Sequence, residues 1–120
     1  MIDFIRRPMS NSTIVIEVSG RFTDLDREKF FGCVSGIIDS GYKNVIIECH
    51  KLGYLSSGGL ASLLNARKRA GNSGGRIFLT HLNSQLAAVL EVTKLGRILS
   101  VFPSTADAIT NIETQLACVG

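Results

Sequence analysis

The sequence has few of the features that mark membrane, secreted or nucleic-acid-binding proteins. It contains no tryptophan and only two prolines, and its apolar runs are far shorter than the ~20 residues that a membrane-spanning helix needs. Its three cysteines, Cys33, Cys49 and Cys118, are widely spaced without a Cys-x-x-Cys pair, which favours reduced thiols over a disulfide framework or a zinc site. The net charge of +3 is too small to indicate binding along a nucleic acid. We therefore expect no membrane insertion, no metal and no direct nucleic-acid binding.

The composition that is present is that of an ordinary globular protein. Apolar residues make up 45% of the chain and charged residues 19%, which excludes an intrinsically disordered protein. A length of 120 residues is typical of one domain, so we expect a single domain over residues 1–120. Asp3, Arg6 and Arg7 lie where a signal peptide would have its apolar core, and we therefore expect a cytoplasmic protein.

The hydrophobic pattern predicts strands and helices in alternation. Ile14, Ile16 and Val18 alternate with their neighbours as in a strand with one buried face. The run Val45-Ile46-Ile47-Glu48-Cys49 indicates a strand that is covered on both faces, as in a parallel sheet. Two further strands are predicted at 76–79 and 99–102, and helices are predicted to begin after Asp24, near Leu60, at Asn83 or Ser84, and at Ser104 or Thr105. Together these elements predict an α/β fold with a mostly parallel central sheet of about four to five strands and about four helices.

Helical spacing assigns an apolar face to each predicted helix. The predicted inward residues are Phe30, Phe31, Cys33, Val34, Ile37 and Ile38 in the first helix, Leu63, Leu64 and Ala70 in the second, Leu86, Val89, Leu90 and Thr93 in the third, and Ala108, Ile109, Ile112 and Leu116 in the fourth. Asp24 and Asp26 are predicted to cap the start of the first helix and Gly41 to end it.

A basic group near the end of the second helix has two interpretations. Arg67-Lys68-Arg69, with Arg76, forms either a solvated polar face or a rim that meets an acidic partner surface. Consecutive helical residues point in different directions, so at most two of the three adjacent residues share one edge.

One loop carries most of the functional information. Between a predicted strand and a predicted helix the chain reads Gly53-Tyr54-Leu55-Ser56-Ser57-Gly58-Gly59-Leu60, and function tends to collect at such junctions of an open α/β sheet. Ser56 or Ser57 would serve as an N-cap, with the glycines in a tight turn. Alternatively, a phosphate on Ser57 would lie at the positive end of a helix, where free backbone amides accommodate it.

Two catalytic interpretations of the same loop are weaker. A nucleotide-binding P-loop disagrees with the sequence because Gly59 and Leu60 stand where Lys and Ser or Thr must contact phosphate and magnesium. A serine hydrolase lacks its Gly-x-Ser-x-Gly motif, and the context of neither His50 nor His81 marks a general base.

The loop resembles the phosphorylation loop of the STAS domain in bacterial anti-sigma factor antagonists. That family has an acidic residue in the preceding strand and then Asp-Ser-Ser/Thr-Gly-Leu. Gly59-Leu60 matches the terminal Gly-Leu, so that Ser57 falls on the family's phosphorylated serine and Glu48 on its acidic strand residue. Ser56 replaces the usual Asp, and Gly58 replaces the second hydroxyl residue.

The resemblance extends over nearly the whole chain. Gly20-Arg21-Phe22 is similar to the family's Gly-x-Leu/Phe turn; Thr23 then stands where many members have an acid, with Asp24 beside it. The later segments 74–79 and 89–96 also match the family's layout, and its order of elements agrees with the order predicted above.

What the resemblance implies is a switch rather than an enzyme. The unphosphorylated domain would bind an anti-sigma factor that is also a serine kinase and so release a sigma factor; the kinase would phosphorylate Ser57, and a serine phosphatase would reset it. The implied partner-binding and phosphorylation site comprises Thr23, Asp24, Ser56, Ser57, Gly58, Gly59 and Leu60. No catalytic residue and no cofactor is implied. Two alternatives remain open: an unphosphorylated STAS scaffold in a signalling or lipid-transport complex, and a small serine hydrolase.

Overall fold

A five-stranded sheet in the order β1-β2-β3-β4-β5 forms the centre of the fold. The computed structural model describes residues 1–119, with side chains for residues 1–114. In chain order the elements are β1 (Ile2–Pro8), β2 (Thr13–Phe22), a 3-10 turn (Asp24–Asp26), α1 (Arg27–Asp39), β3 (Asn44–Leu55), α2 (Ser57–Asn72), β4 (Arg76–Thr80), α3 (Ser84–Thr93), a second 3-10 turn (Leu95–Arg97), β5 (Ser100–Phe102) and α4 (Thr105–Val119). β1 is antiparallel to β2, and the other three strand pairs are parallel. The predicted α/β fold with a mostly parallel sheet is confirmed.

Helices cover both faces of the sheet. Successive side chains of a strand point to opposite faces, and those of β2 enter two different apolar clusters. Ile14 and Ile16 pack in the larger cluster with residues of α1, α2 and α3. Val15 packs in the smaller cluster with Ala108 and Ile112 of α4. The prediction of one buried face for β2 is therefore wrong, because α4 covers the face on which Val15 lies.

In two helices the set of buried residues differs from the predicted set. In α1, Phe30 is fully buried but Phe31 is 42% exposed, because the buried row that continues through Val34 leaves Phe31 at its edge. In α3, Val89 and Thr93 are exposed, and only Leu86 and Leu90 are buried. A helix of ten residues at the margin of the sheet needs no wider apolar face.

The N-terminal strand was not located by the hydrophobic pattern. β1 is an edge strand in which Ile2 is buried while Ile5 is 55% exposed, so only part of one face shows the apolar alternation of a half-buried strand. Gly41, with φ +102, ends α1 as predicted.

The cysteines that the structure describes lie in the core. Cys33 and Cys49 are buried and not bonded to each other, and burial raises the pKa of the Cys49 thiol to about 12. The predictions for Leu116 and Cys118 fall outside the residues whose side chains are described. Over the part of the chain that is described, no helix has the length and apolar character to cross a membrane.

Candidate functional site

A single residue separates β3 from α2. β3 runs to Leu55, and α2 begins at Ser57, so the loop consists of Ser56. The sequence predicts a loop from Gly53 onward, which is wrong because β2 continues alongside β3 and pairs Arg21 with Tyr54. A one-residue connection leaves no loop that could wrap around the phosphates of a nucleotide as a P-loop does.

The two serines of the junction have different environments. Ser56 is the N-cap of α2: its Oγ accepts a hydrogen bond of 3.1 Å from the backbone N–H of Gly59. The N–H of Ser56 in turn donates to the carbonyl of Phe22 at 2.9 Å. Ser57 is the first residue of the helix; its side chain is exposed, and its hydroxyl has no hydrogen-bond partner among the described residues. The capping role therefore belongs to Ser56, and Ser57 is the hydroxyl that another protein can reach.

Gly58 and Gly59 allow the first turn of α2 to press against the end of β2. A Cβ at Gly58 would lie 2.8 Å from Cα of Asp24, and a Cβ at Gly59 would lie 2.5 Å from the carbonyl oxygen of Phe22. Real Cβ atoms essentially never come so close to backbone atoms. Close helix-to-backbone contact, rather than a tight turn, is therefore the reason for these two glycines.

The turn that receives α2 is held by a network of hydrogen bonds. Thr23 caps the 3-10 turn, because its Oγ1 accepts from the N–H of Leu25 at 3.2 Å. In the reverse direction, the N–H of Thr23 donates to the buried carboxylate of Asp26 at 2.9 Å. The same carboxylate accepts from the N–H of Ile2 at 3.2 Å and so ties β1 to the turn. Asp24, which packs against Gly58, therefore lies in a turn that Thr23 and Asp26 hold by hydrogen bonds.

The prediction that Asp24 and Asp26 cap α1 is wrong, because no side chain caps that helix and Asp26 has a different role. It makes no side-chain cap for α1, but it closes a capping box with Thr23. Burial alone would raise the pKa of Asp26; the N–H groups of Thr23 and Ile2, together with the positive α-amino group, outweigh burial and lower the pKa below its usual value. The spacing Thr-x-x-Asp, which is typical of such a box, was the available sequence signal.

Two exposed apolar side chains lie on the elements that pack against the first half of α2. Leu25, which follows the Asp24 that contacts Gly58, is 89% exposed. A cavity of about 220 Å³ lies between α1 and α2 and is lined by Arg27, Glu28, Phe31, Ser62 and Asn65. Exposed leucine and phenylalanine side chains beside a shallow cavity are typical of a protein-binding surface. We call Leu25, Phe31, Ser57 and the residues lining this cavity the serine face.

Leu60 lies beneath the serine face rather than on it. It is 6% exposed and belongs to the main apolar cluster. Leu60 and the buried Gly59 are therefore placed to support the surface and not to touch a partner.

Glu48, the acidic strand residue, lies in a separate cluster of charges. Arg7 donates to its Oε2 at 2.6 Å, and Glu17 lies beside it in the register of β2 and β3. Lys51 lies 2.8 Å from Glu17, and this hydrogen-bonded contact lowers the pKa of Glu17 despite burial. Both buried carboxylates are thus compensated by cations, which is the arrangement of a structural ion-pair network.

Neither histidine is associated with the serines. The rings of His50 and His81 lie 5.7 Å apart, and Nε2 of His81 accepts from the N–H of Thr105 at 3.3 Å. Among the described side chains, no hydrogen bond links either ring to Ser57. The same part of the chain contains no group of three or more His, Cys, Asp or Glu residues that could hold a metal ion.

A family model for the STAS domain matches residues 5–108. The chain belongs to the STAS family. No curated protein matches its sequence, so the more detailed comparisons of this STAS domain are structural.

Solved structures share the fold at low sequence identity. An anti-sigma factor antagonist from Mycobacterium paratuberculosis is 17% identical with a TM-score of 0.82, over 94% of this chain and 95% of that one. The antagonist SpoIIAA in its unphosphorylated form is 18% identical with a TM-score of 0.78, over 93% and 97%. SpoIIAA of Bacillus in its phosphorylated form is 19% identical with a TM-score of 0.69, over 92% and 99%.

The same fold occurs in a protein of another class. A sulfate transporter family protein from Wolinella succinogenes is 15% identical with a TM-score of 0.78, over 92% of this chain and 93% of that one. At such identities the likeness shows the fold alone. The features that bear on function are those of the serine face.

Proposed function

We propose that this STAS domain is an anti-sigma factor antagonist and that phosphorylation of Ser57 switches its binding to an anti-sigma factor. The observation that carries the proposal is the position of Ser57: an exposed hydroxyl at the first residue of α2, with no hydrogen-bond partner among the described residues, next to Gly58, which packs on the turn that carries the exposed Leu25. In this proposal residues 1–120 form one cytoplasmic domain that catalyses nothing and needs no cofactor. The anti-sigma factor is the serine kinase, and a serine phosphatase restores the unmodified form.

The free domain can carry the modification without unfolding. A phosphate on Ser57 brings a charge of roughly −1.5 to −2 to the positive end of α2, where the helix dipole stabilises an anion. Ser56 already caps the helix, so the hydroxyl of Ser57 is not needed for this purpose. The cost of the phosphate therefore falls on the complex and not on the fold.

In the complex the phosphate would lie against an apolar contact. A partner that covers Ser57 together with Leu25 and Phe31 removes water from the serine, and a charge buried without a counterion is strongly unfavourable. A hundredfold loss of affinity corresponds to about 2.8 kcal/mol, which one such charge can supply.

The other proposed site residues have supporting roles. Thr23 and Asp24 form the turn against which α2 packs, and Ser56 fixes the first turn of the helix. Gly58 permits the contact with Asp24. Gly59 and Leu60 are buried beneath the proposed site and support it.

The test is phosphorylation in the presence of the anti-sigma kinase and ATP, followed by intact mass. The structure offers a matched control in Ser84, which is also an exposed first residue of a helix and also follows a capping side chain, Asn83. We expect wild type and Ser84→Ala to gain one phosphate and Ser57→Ala to gain none. Incorporation into Ser57→Ala, or loss of incorporation in Ser84→Ala, would contradict the proposal.

A second candidate function is an unphosphorylated scaffold in a signalling or transport assembly. It is favoured by Ser56, which stands where the resembled antagonists have Asp, and by the occurrence of the fold in a sulfate transporter family protein. A pull-down with wild type, Ser57→Ala and Ser57→Asp separates the two candidates. The switch requires Ser57→Asp to lose the partner that Ser57→Ala retains, whereas a scaffold keeps its partner in all three forms.

A further inference from the structure

A groove lies at the C-terminal end of α2, and all the charged side chains that line it are cationic. It has a volume of about 480 Å³ and is lined by Arg67, Lys68, Gly71, Asn72, Gly75, Arg76, Ile77 and Ser100. Three of these side chains are positively charged, and none is acidic. We call these residues the basic groove.

The adjacent cations Arg67, Lys68 and Arg69 differ in whether they pair with other side chains. The guanidinium of Arg69 donates to Asp39 on α1 at 2.7 Å and to Ser73 at 2.7 Å, so that Arg69 links α2 to α1. Arg67 and Lys68 are exposed, and neither has a hydrogen bond or ion pair with another described residue. Positive charge near the end of a helix is favourable in itself, but this effect does not require two side chains to converge with Arg76 on one groove.

The sheet leaves room for an extended segment beside the basic groove. β5 pairs with β4 only from Phe78 to Thr80, so Arg76 and Ile77 have no neighbouring strand on that side within the described chain. The groove lies at the C-terminal end of α2, where the carbonyl of Ala70 already accepts from the N–H of Gly75 at 2.7 Å. This helix end offers an anion no backbone N–H groups of the kind found at a helix start, so an acidic ligand in the groove would be held by the cationic side chains.

We propose that the basic groove binds a short acidic segment, rich in Asp and Glu, of a partner protein. Arg67, Lys68 and Arg76 supply the opposing charges, and Asn72 and Ser100 supply neutral hydrogen-bonding groups. The guanidinium of Arg76 also lies over the ring of Phe78, 5.1 Å from its centroid, so the exposed Arg67 and Lys68 are the main contacts for an acidic segment in the groove. Such a contact steers association and fixes orientation.

The groove is independent of the serine face. The axial distance from Ser57 to Lys68 is roughly 16 Å at the rise of an α-helix, and none of the residues that line the basic groove lines the cavity between α1 and α2. The inference does not rest on a phosphorylated Ser57, and a partner bound at both ends of α2 would keep this contact in either state of the serine.

The test uses a peptide of glutamates with blocked ends as the probe. Titrated into the isotope-labelled full chain, it should shift the backbone amide signals of the basic groove and leave those of the serine face unchanged. The double variant Arg67→Glu, Lys68→Glu should weaken binding by about tenfold or more. The matched control is Lys94→Glu, Arg97→Glu, which changes the net charge equally at a cavity that also contains Glu91; it should weaken binding by less than about threefold.

Several outcomes would overturn the proposal. One is an equal loss of affinity in both double variants, which would show attraction to net charge alone. Another is the absence of shifts in the groove. A third is that inorganic pyrophosphate binds the same residues more tightly than the peptide, which would make the groove a phosphate site. Circular dichroism and thermal unfolding of both variants exclude loss of fold as the cause of a changed affinity.

Discussion

The contact between Gly58 and Asp24 predicts that the same substitution has opposite effects at two positions of α2. A methyl group at Gly58 would meet backbone atoms of Asp24, with Cα at 2.8 Å and N at 3.0 Å. At Gly71, in the same helix, a methyl group would meet nothing within 4 Å. Gly71→Ala is therefore the matched control for Gly58→Ala.

The expected magnitudes follow from two opposing effects. Overpacking against a backbone that cannot rotate away costs ~1–3 kcal/mol, and replacing glycine by alanine in a helix returns up to ~1 kcal/mol. We expect Gly58→Ala to lower the free energy of unfolding by about 1–2 kcal/mol. Gly71→Ala should raise it by about 0.5–1 kcal/mol, because only the propensity effect acts there.

Urea unfolding followed by far-ultraviolet circular dichroism measures the difference, and the lack of tryptophan makes this probe preferable to fluorescence. With a urea dependence of ~1–3 kcal/mol per molar, the two midpoints should differ by roughly 1 M. If Gly58→Ala were as stable as Gly71→Ala, the close packing of α2 on the Thr23–Asp26 turn would be refuted, and with it the geometry of the serine face.

Further predictions concern the two serines, the buried carboxylate and the exposed leucine. Ser56→Ala should lower the free energy of unfolding by about 1 kcal/mol through loss of the N-cap, whereas Ser57→Ala should change it by less than about 0.5 kcal/mol in the same urea experiment. Asp26 has a lowered pKa in the folded state, so it contributes stability above its unfolded pKa of about 3.9 and loses this contribution as the pH falls through the folded pKa. Thermal unfolding between pH 5 and pH 2 should therefore show a smaller acid loss in Asp26→Asn than in wild type, and equal losses would contradict the network. Leu25→Ala should leave stability within about 0.5 kcal/mol, because the side chain is 89% exposed, and weaken anti-sigma factor binding by about tenfold in a calorimetric titration; unchanged affinity would remove Leu25 from the contact.

Local patterns were sufficient for the order of the elements from β2 to α4, but they did not locate β1. The nearly continuous apolar run Val45–Cys49, interrupted by Glu48, indicates a strand buried on both faces, and this is how β3 lies between β2 and β4. The pattern could not show that Val15 would also be buried, because its covering helix, α4, is about ninety residues away along the chain. The prediction that Phe31 faces inward was wrong for a related reason: a helical row leaves its edge residues undecided until a neighbouring helix is placed.

The candidate site was predictable as a stretch of residues but not as an arrangement. The motif around Ser57 places two hydroxyls at the start of a helix, and local sequence does not decide which of them caps it. Which serine caps α2 depends on the one-residue loop. This loop is short because Arg21 of β2 pairs with Tyr54 and so extends β3. The contact of Gly58 with Asp24 joins segments that are distant in sequence, and no local pattern encodes it.

The basic residues of α2 were likewise predictable as a run of sequence but not as an arrangement. The sequence shows Arg67-Lys68-Arg69 as one charged run, but the structure separates Arg69, which pairs with Asp39, from the two residues that line the groove. Helical geometry predicted that at most two of the three would share an edge. Which two they are follows only from the position of α1.

The most direct test of the account is the dissociation constant of the anti-sigma factor for the domain with phosphoserine incorporated at position 57. The unmodified domain and a domain with phosphoserine at position 84 are the references, because Ser84 is also an exposed first residue of a helix. The account predicts a loss of affinity of about a hundredfold for the form modified at Ser57 and of less than about threefold for the form modified at Ser84. Equal binding of all three forms would contradict the proposal that Ser57 is the switch.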